Sequence, residues 1–289
     1  MLPKTIQLGQ VGSIFYATLF DKQCALLMNE SSTTGLSSTQ EVAVLKALSE
    51  FVERKAYQDI KANHSKQDLC GTDGYAAFPV SILPRFLAVR RARENALSEA
   101  FERFVWSKWW DDQDVGADIT KIDKILDDGC ADLLSRIFAL TKNHTILEIR
   151  PKVSNQLERQ LIILLCKTVE GGYISGGAAG LKKHQDMTYF RALGELYCHA
   201  LALNRYRQSK LNDVKSSYEK RLLYFALGGK GTELVDLRLA KSGNKVINLP
   251  NLIIDCEISH VLAEKWVVYR CLFENQSHFL GGSIERLCL

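Results

Sequence analysis

The chain has 289 residues, of which 46% are hydrophobic and 24% charged, with a formal net charge of +4. That balance belongs to a globular protein with a sizeable core. The small excess of basic residues is dispersed among acids, so it gives no electrostatic footprint for nucleic acid. No apolar run approaches the roughly 20 residues of a membrane-spanning helix. Met1–Gln10 lacks the apolar stretch of a signal peptide, so a cytoplasmic protein is expected. The eight cysteines include no Cys-x-x-Cys pair and read as free thiols rather than a zinc site.

In chain order, Ser13–Leu19 has strand character and Ser31–Ser38 is turn-rich. A helix follows whose centre, residues 46–54, reads Lys-Ala-Leu-Ser-Glu-Phe-Val-Glu-Arg. After Gly71–Gly74 a second helix carries Asn-Ala-Leu-Ser-Glu-Ala-Phe-Glu-Arg over residues 95–103. Ile119–Thr141 reads as an amphipathic helix, His144–Ile149 as a strand, and Leu161–Val169 as another. The glycine-rich Gly171–Gly180 then leads into a third helix, Arg-Ala-Leu-Gly-Glu-Leu-Tyr-Cys-His from Arg191. Asn204–Lys220 is a basic, polar end or connection, and the tail supplies strands at Asn251–Ile258 and Lys265–Phe273. The Ala-Leu-x-Glu repeat implies a mixed α/β (α+β) fold of related strand, glycine-rich turn and long-helix units, as one domain over residues 1–289.

At 100° per residue, Val44, Leu45, Leu48, Phe51 and Val52 form one apolar stripe of the first helix. Glu50, Glu53, Lys46 and Tyr57 occupy the other face. The second helix repeats the division, with Glu99, Glu102, Asn95 and Trp106 opposite Leu97, Phe101 and Phe104. Acid–base pairs at this spacing are also what an ordinary solvated helix face carries. A bulky aromatic one turn beyond each acidic pair points instead to a covered face. Carboxylates gathered under cover raise one another's pKa, and a divalent cation with oxygen ligands relieves that repulsion. The pattern suggests a carboxylate-rich metal and nucleotide site. None of the six histidines has a neighbour that singles it out as a catalytic base, and no P-loop is present.

Thr34-Gly35-Leu36-Ser37 with Ala47–Arg54, Gly71–Ala77 with Ala96–Arg103, and Gly176–Gly180 with Arg191–Glu195 resemble, in that order, the nucleotide-site motifs of the YcaO family. The tail, with Phe279-Leu280-Gly281-Gly282 and Arg286-Leu287, is similar to that family's closing segment. The resemblance implies a YcaO-like domain that binds ATP and Mg²⁺ without a P-loop. Glu50, Glu53, Glu99, Glu102 and Glu195 would hold the metal, and Lys46, Arg54, Asn95, Arg103 and Arg191 would bind the nucleotide. The implied reaction is O-phosphorylation of a peptide backbone amide for nucleophilic attack, giving an azoline, thioamide or amidine in ribosomal peptide maturation. A precursor peptide, a separate peptide-docking protein and a homo- or hetero-oligomer are the implied partners. The sequence departs from the family at Lys46, in a region where a serine is usual, and at Arg91, where a glutamate is usual. Those departures keep open a non-catalytic scaffold or partner-binding subunit of a peptide-modifying complex.

Overall fold

A computed structural model describes residues 5–20, 32–63, 73–122, 128–154, 158–208, 217–241, 243–260, 262–276 and 284–287. Strands β1 (Thr5–Val11), β2 (Ile14–Phe20) and β3 (Ser32–Ser37) form one antiparallel sheet in that order. Helix α1 (Gln40–Asn63) follows, then β4 (Gly74–Pro79) and helix α2 (Arg85–Asp111). Strands β5 (Ala117–Ile122), β6 (Ile146–Pro151), β7 (Arg159–Lys167) and β8 (Tyr173–Leu181) form a four-stranded antiparallel meander, with α3 (Asp128–Thr141) between β5 and β6. Helices α4 (Gln185–Gln208), α5 (Ser217–Ala226) and α6 (Lys230–Ala240) come next. Strands β9 (Leu252–Ile258) and β10 (Trp266–Phe273) close the order, and β10 pairs between β4 and β9. The mixed α/β class expected from the repeats is what the chain adopts.

The chain divides into two compact units. The first holds residues 1–100 and 250–276, and the second holds residues 101–249 and 277–289, so the division falls inside α2. In the first unit α1 lies across β2 and β3 through Ala43, Ala47, Phe51 and Val52. These are buried with Ala17, Leu19, Tyr75, Ala77, Trp266 and Val268 in one apolar cluster. Alanines at i and i+4 let a helix approach a sheet closely.

In the second unit, Gly176 and Gly177 point to opposite faces of β8, as successive strand residues must. A Cβ on Gly176 would overlap the α4 backbone at Ala192 and Leu196, and one on Gly177 would overlap the Trp106 ring. Helix α4 therefore covers one face of the meander, and the 101–111 end of α2 covers the other. Trp106 and Trp109 are fully buried there, which settles the expectation of a covered aromatic face. Arg238 of α6 is buried against this end. It donates to the carbonyls of Trp109, Val115 and Lys241, and its guanidinium stacks on the Trp109 ring.

Two sequence expectations are corrected. Much of the expected turns is strand: residues 32–37 form β3, Gly74 opens β4 and residues 173–180 belong to β8, whereas Gly171 does sit in a turn and residues 71–72 lie outside the described residues. Glycine serves there because a helix backbone occupies the space of a side chain. The segment 119–141 is not one helix: Ile119 and Ile122 belong to β5, paired with Ile149 and Ile146, and the helix begins at Asp128. The β-branched run Ile119, Thr120, Ile122 favours the strand, and cross-strand pairing outweighs the helical period. The strands expected near 13–19, 144–149, 161–169, 251–258 and 265–273 are present as β2, β6, β7, β9 and β10. Of the connection expected over 204–220, residues 209–216 lie outside the described residues, as does Phe279–Gly282 of the tail.

The close helix contacts give a direct test. A Cβ on Gly74 would overlap α2 at Ala96 and Ala100, so Gly74→Ala, like Gly176→Ala, should lower the unfolding free energy by about 1–3 kcal/mol through overpacking. Urea denaturation with an unchanged m-value would check it, and wild-type midpoints for both would contradict the seating of α2 and α4 described above.

Candidate functional site

The glutamates singled out by the repeat do not face open solvent. In the first unit, Glu50 Oε2 accepts the backbone N–H of Thr34 on β3 at 3.1 Å. Glu53 Oε1, one helical turn on, accepts the N–H of Ala77 on β4 at 2.9 Å. Glu99 Oε2 accepts the N–H of Tyr75, also on β4, at 2.6 Å. In the second unit, Glu102 Oε2 accepts the N–H of Ala179 on β8 at 3.0 Å, and Glu195 Oε2 that of Gly177 at 2.6 Å. Strands β3, β4 and β8 are all edge strands. Their outward amides would otherwise lack a partner, and an unpaired amide away from water is costly. The carboxylates thus cap three sheet edges.

The bonds follow a strict register. The first glutamate of each repeat holds the strand just before its own helix: Thr34, Tyr75 and Gly177 occupy equivalent places. The second holds an amide two residues further along the following repeat's strand, Ala77 for Glu53 and Ala179 for Glu102. That alignment makes Thr33 the counterpart of Gly74 and Gly176. Thr33 is buried, and its hydroxyl donates to the Ala47 carbonyl at 2.9 Å. In the third repeat the second glutamate is replaced by Cys198 and the arginine by His199, whose ring Nδ1 donates to the Ser175 carbonyl on the β8 edge.

The basic residues of the expected nucleotide site also meet the chain itself. Lys46 is exposed, and its ammonium donates to the Leu36 carbonyl at 2.7 Å. Arg54 bonds Glu50 Oε1 at 2.5 Å, which leaves both Glu50 oxygens engaged. Arg191 donates to the Ala179 carbonyl at 3.3 Å, Arg103 is half-buried, and Asn95 is exposed. Among the described residues, no three His, Cys, Asp or Glu side chains group as ligands of one metal ion. Paired carboxylates do occur, on β4 from Glu99 and Glu53 in the first unit and on β8 in the second. There Glu102 and Glu195 cap alternate outward amides of one strand, about 7 Å apart along it. Burial first, and the neighbouring Glu102 charge second, hold the Glu195 carboxyl well above the usual carboxylate range. The Gly177 amide, Arg191 and Arg103 pull it back.

A buried ion pair near this machinery went unrecognised in the sequence. Arg270 of β10 pairs with buried Asp73, its guanidinium lies over the Tyr75 ring, and the Tyr75 hydroxyl donates to the same carboxylate at 3.4 Å. Burial raises the Tyr75 hydroxyl first, and the Asp73 charge adds to it. The available signal was one arginine in the apolar run Trp266–Phe273, which calls for a buried acid. Of the cysteines, Cys130, Cys166, Cys198, Cys256 and Cys271 are free; Cys24, Cys70 and Cys288 lie outside the described residues. No described helix is long and apolar enough to cross a membrane.

No protein-family model and no curated protein matches the chain. Among solved structures it is similar to a chain of the E. coli microcin synthetase McbBCD complex, determined with pro-MccB17 bound. The two share 12% sequence identity over 93% of this chain and 87% of that one, with a TM-score of 0.60. The likeness is one of fold.

Two titrations test the electrostatics of the β8 edge. Burial depresses His199 to about 4 from its ordinary 6.5, so the folded state keeps it neutral. Its contribution is present above pH 6.5 and lost as pH falls toward 4. Relative to His199→Gln, the wild type should lose up to about 3 kcal/mol across that window, at 1.36 kcal/mol per pH unit. Glu195 has the opposite sign: the folded state binds its proton more tightly than the unfolded chain. Wild type should therefore lose stability relative to Glu195→Gln as pH rises above the ordinary carboxylate range. Urea unfolding of the wild type and each variant from pH 4 to 8 reads both, and a pH-independent difference would contradict either assignment.

Proposed function

We propose that the chain activates a peptide backbone amide with ATP and Mg²⁺ inside a cytoplasmic multi-protein assembly that matures a ribosomal peptide. The observation that carries this reading is the Glu102–Glu195 pair on the β8 edge, with Arg103 and Arg191 beside it. Burial and the Glu102 charge raise the proton affinity of Glu195, and a hard divalent cation with oxygen ligands relieves such a strain. The set fits Mg²⁺, which Glu102 and Glu195 would hold. When bound, such an ion neutralises charge developing on a transferred phosphoryl group. Arg103 and Arg191, whose charges act on Glu195, would orient phosphate oxygens. Glu50, Glu53 and Glu99 are the corresponding carboxylates of the first unit. A nucleophile adds at the amide carbon and gives up its proton, the amide oxygen takes the γ-phosphoryl group of ATP as ADP departs, and phosphate then leaves with that oxygen. The identity of the nucleophile sets whether an azoline, thioamide or amidine results. Support for a peptide substrate and partner proteins comes from the fold likeness to a microcin synthetase complex solved with pro-MccB17 bound.

A second reading, a non-catalytic partner-binding subunit of such an assembly, is favoured by specific contacts. Both Glu50 oxygens and the Lys46 ammonium are used by the chain itself, and Arg91 stands where the resembled family carries a glutamate. Calorimetry separates the two. Mg²⁺-dependent ATP binding should weaken at least tenfold in Glu102→Gln and in Glu195→Gln, with folding retained. A well-folded wild type that binds no Mg-ATP would remove the enzymatic reading in favour of the second.

A further inference from the structure

The three antiparallel sheets have six edge strands, and five of them carry a visible block against further pairing. Edges β3, β4 and β8 are capped by glutamates, and β3 also by Lys46. Edge β9 carries Asp255 and Glu257, which pair with Arg93 and Arg85 of α2. Edge β5 carries Asp118 and Lys121, and Val115, just before it, bridges to Lys245. Charges and covered amides are the usual devices that stop a strand from accepting another. Among the described residues, strand β1 has neither. Its sequence, Thr-Ile-Gln-Leu-Gly-Gln-Val, contains no charge and no proline, and among the described strands it pairs with β2 alone.

Its side chains add a second, independent observation. Ile6 and Leu8 are 47% and 46% exposed. In register they stand beside Leu19 and Ala17, which are buried beneath α1. Residues paired across strands project to the same face. Helix α1 packs over β2 and β3, so Ile6 and Leu8 carry the buried apolar face one strand beyond the helix.

We propose that β1 is a docking edge that takes an extended, uncharged peptide segment as a fourth strand, with alternate apolar side chains laid beside Ile6 and Leu8. Seven residues span about 23 Å at 3.3 Å each. One strand's length of contact falls well short of the about 1,600 Å² of a standard stable protein–protein interface. It suits a peptide, held by main-chain hydrogen bonds with pockets for alternate side chains, better than a folded subunit or a second copy. The inference rests on the reading that this chain works on a peptide, and it places that peptide's docking strand apart from the carboxylate-capped edges.

The test uses the full chain and a fluorescein-labelled peptide of alternating Thr and Val with a lysine at each end. Anisotropy reports binding, and amide hydrogen exchange reports its place. Binding should slow exchange across residues 5–11. Ile6→Lys and Leu8→Lys, both at exposed positions, should weaken it at least tenfold while circular dichroism stays that of the wild type. A version of the peptide with lysine at the Val positions should also bind at least tenfold more weakly. Failure to protect residues 5–11, or binding undiminished in both variants, would overturn the proposal. So would a wild-type dimer in sedimentation velocity that Leu8→Lys dissociates, because the edge would then serve a second copy. Mg-ATP calorimetry is independent of these readouts: ATP binding without peptide docking defeats this inference alone, and docking without ATP binding defeats only the enzymatic reading.

Discussion

The constraint on which this fold depends is the unmet hydrogen bond of an edge strand. A sheet of three or four strands has two edges, and each outward amide left dry destabilises the fold by roughly the 1–3 kcal/mol of a lost buried partner. This chain meets the constraint with carboxylates projected from helices. Glu50, Glu53, Glu99, Glu102 and Glu195 each receive one such amide. Each such bond both satisfies a donor and fixes helix to strand. The spacing of three puts both glutamates of a pair on one helix face, and from there each reaches a different strand: Glu50 holds β3 and Glu53 β4, while Glu99 holds β4 and Glu102 β8.

The repeat was legible because side chains that make these bonds must recur at fixed helical positions. The apolar stripe was only partly legible. Ala43, Ala47 and Ala56 lie in the core of α1 along with Phe51 and Val52, since small residues admit the sheet while larger ones fill the flanks. The glycine-rich stretches misled in type but not in place. A glycine needed for left-handed backbone and one needed for close approach look alike in sequence. Gly171, at φ +85°, belongs to the first kind and sits in the turn between β7 and β8; Gly176, under α4, belongs to the second. The pairing of β10 between β4 and β9 was hidden because it joins residues almost 200 positions apart, and no local pattern encodes such a partner.

Capping and chemistry draw on the same carboxylates, and the two demands need not conflict. A carboxylate has two oxygens and about four lone-pair positions, so one edge amide leaves acceptor capacity. Glu50 uses that capacity on Arg54, while burial and the neighbouring Glu102 charge hold the Glu195 carboxyl above the usual carboxylate range. The third repeat shows what happens when the second position is relieved of its duty. Cys198 replaces the glutamate, and His199 takes over a carbonyl on its own strand, kept neutral by burial. A neutral imidazole serves there because its task is to donate to a carbonyl, where an arginine would bring a buried charge.

The separations of the capping bonds along the chain carry a consequence for how the protein acquires its structure during synthesis. Glu50 closes on Thr34 over 16 residues, Glu195 on Gly177 over 18, and Glu99 on Tyr75 over 24. Short closures of this kind lose little chain entropy and can form as soon as each helix follows its strand. Glu102 must wait for Ala179, 77 residues later, and β4 for β10, whose first residue is Trp266. Each strand–helix pair is therefore a local nucleus available early, whereas completion of the β4–β10–β9 sheet is deferred until Trp266–Phe273 has been made. Until then Tyr75 and Ala77 hold their amides on the glutamate side, with the opposite edge of β4 awaiting its partner.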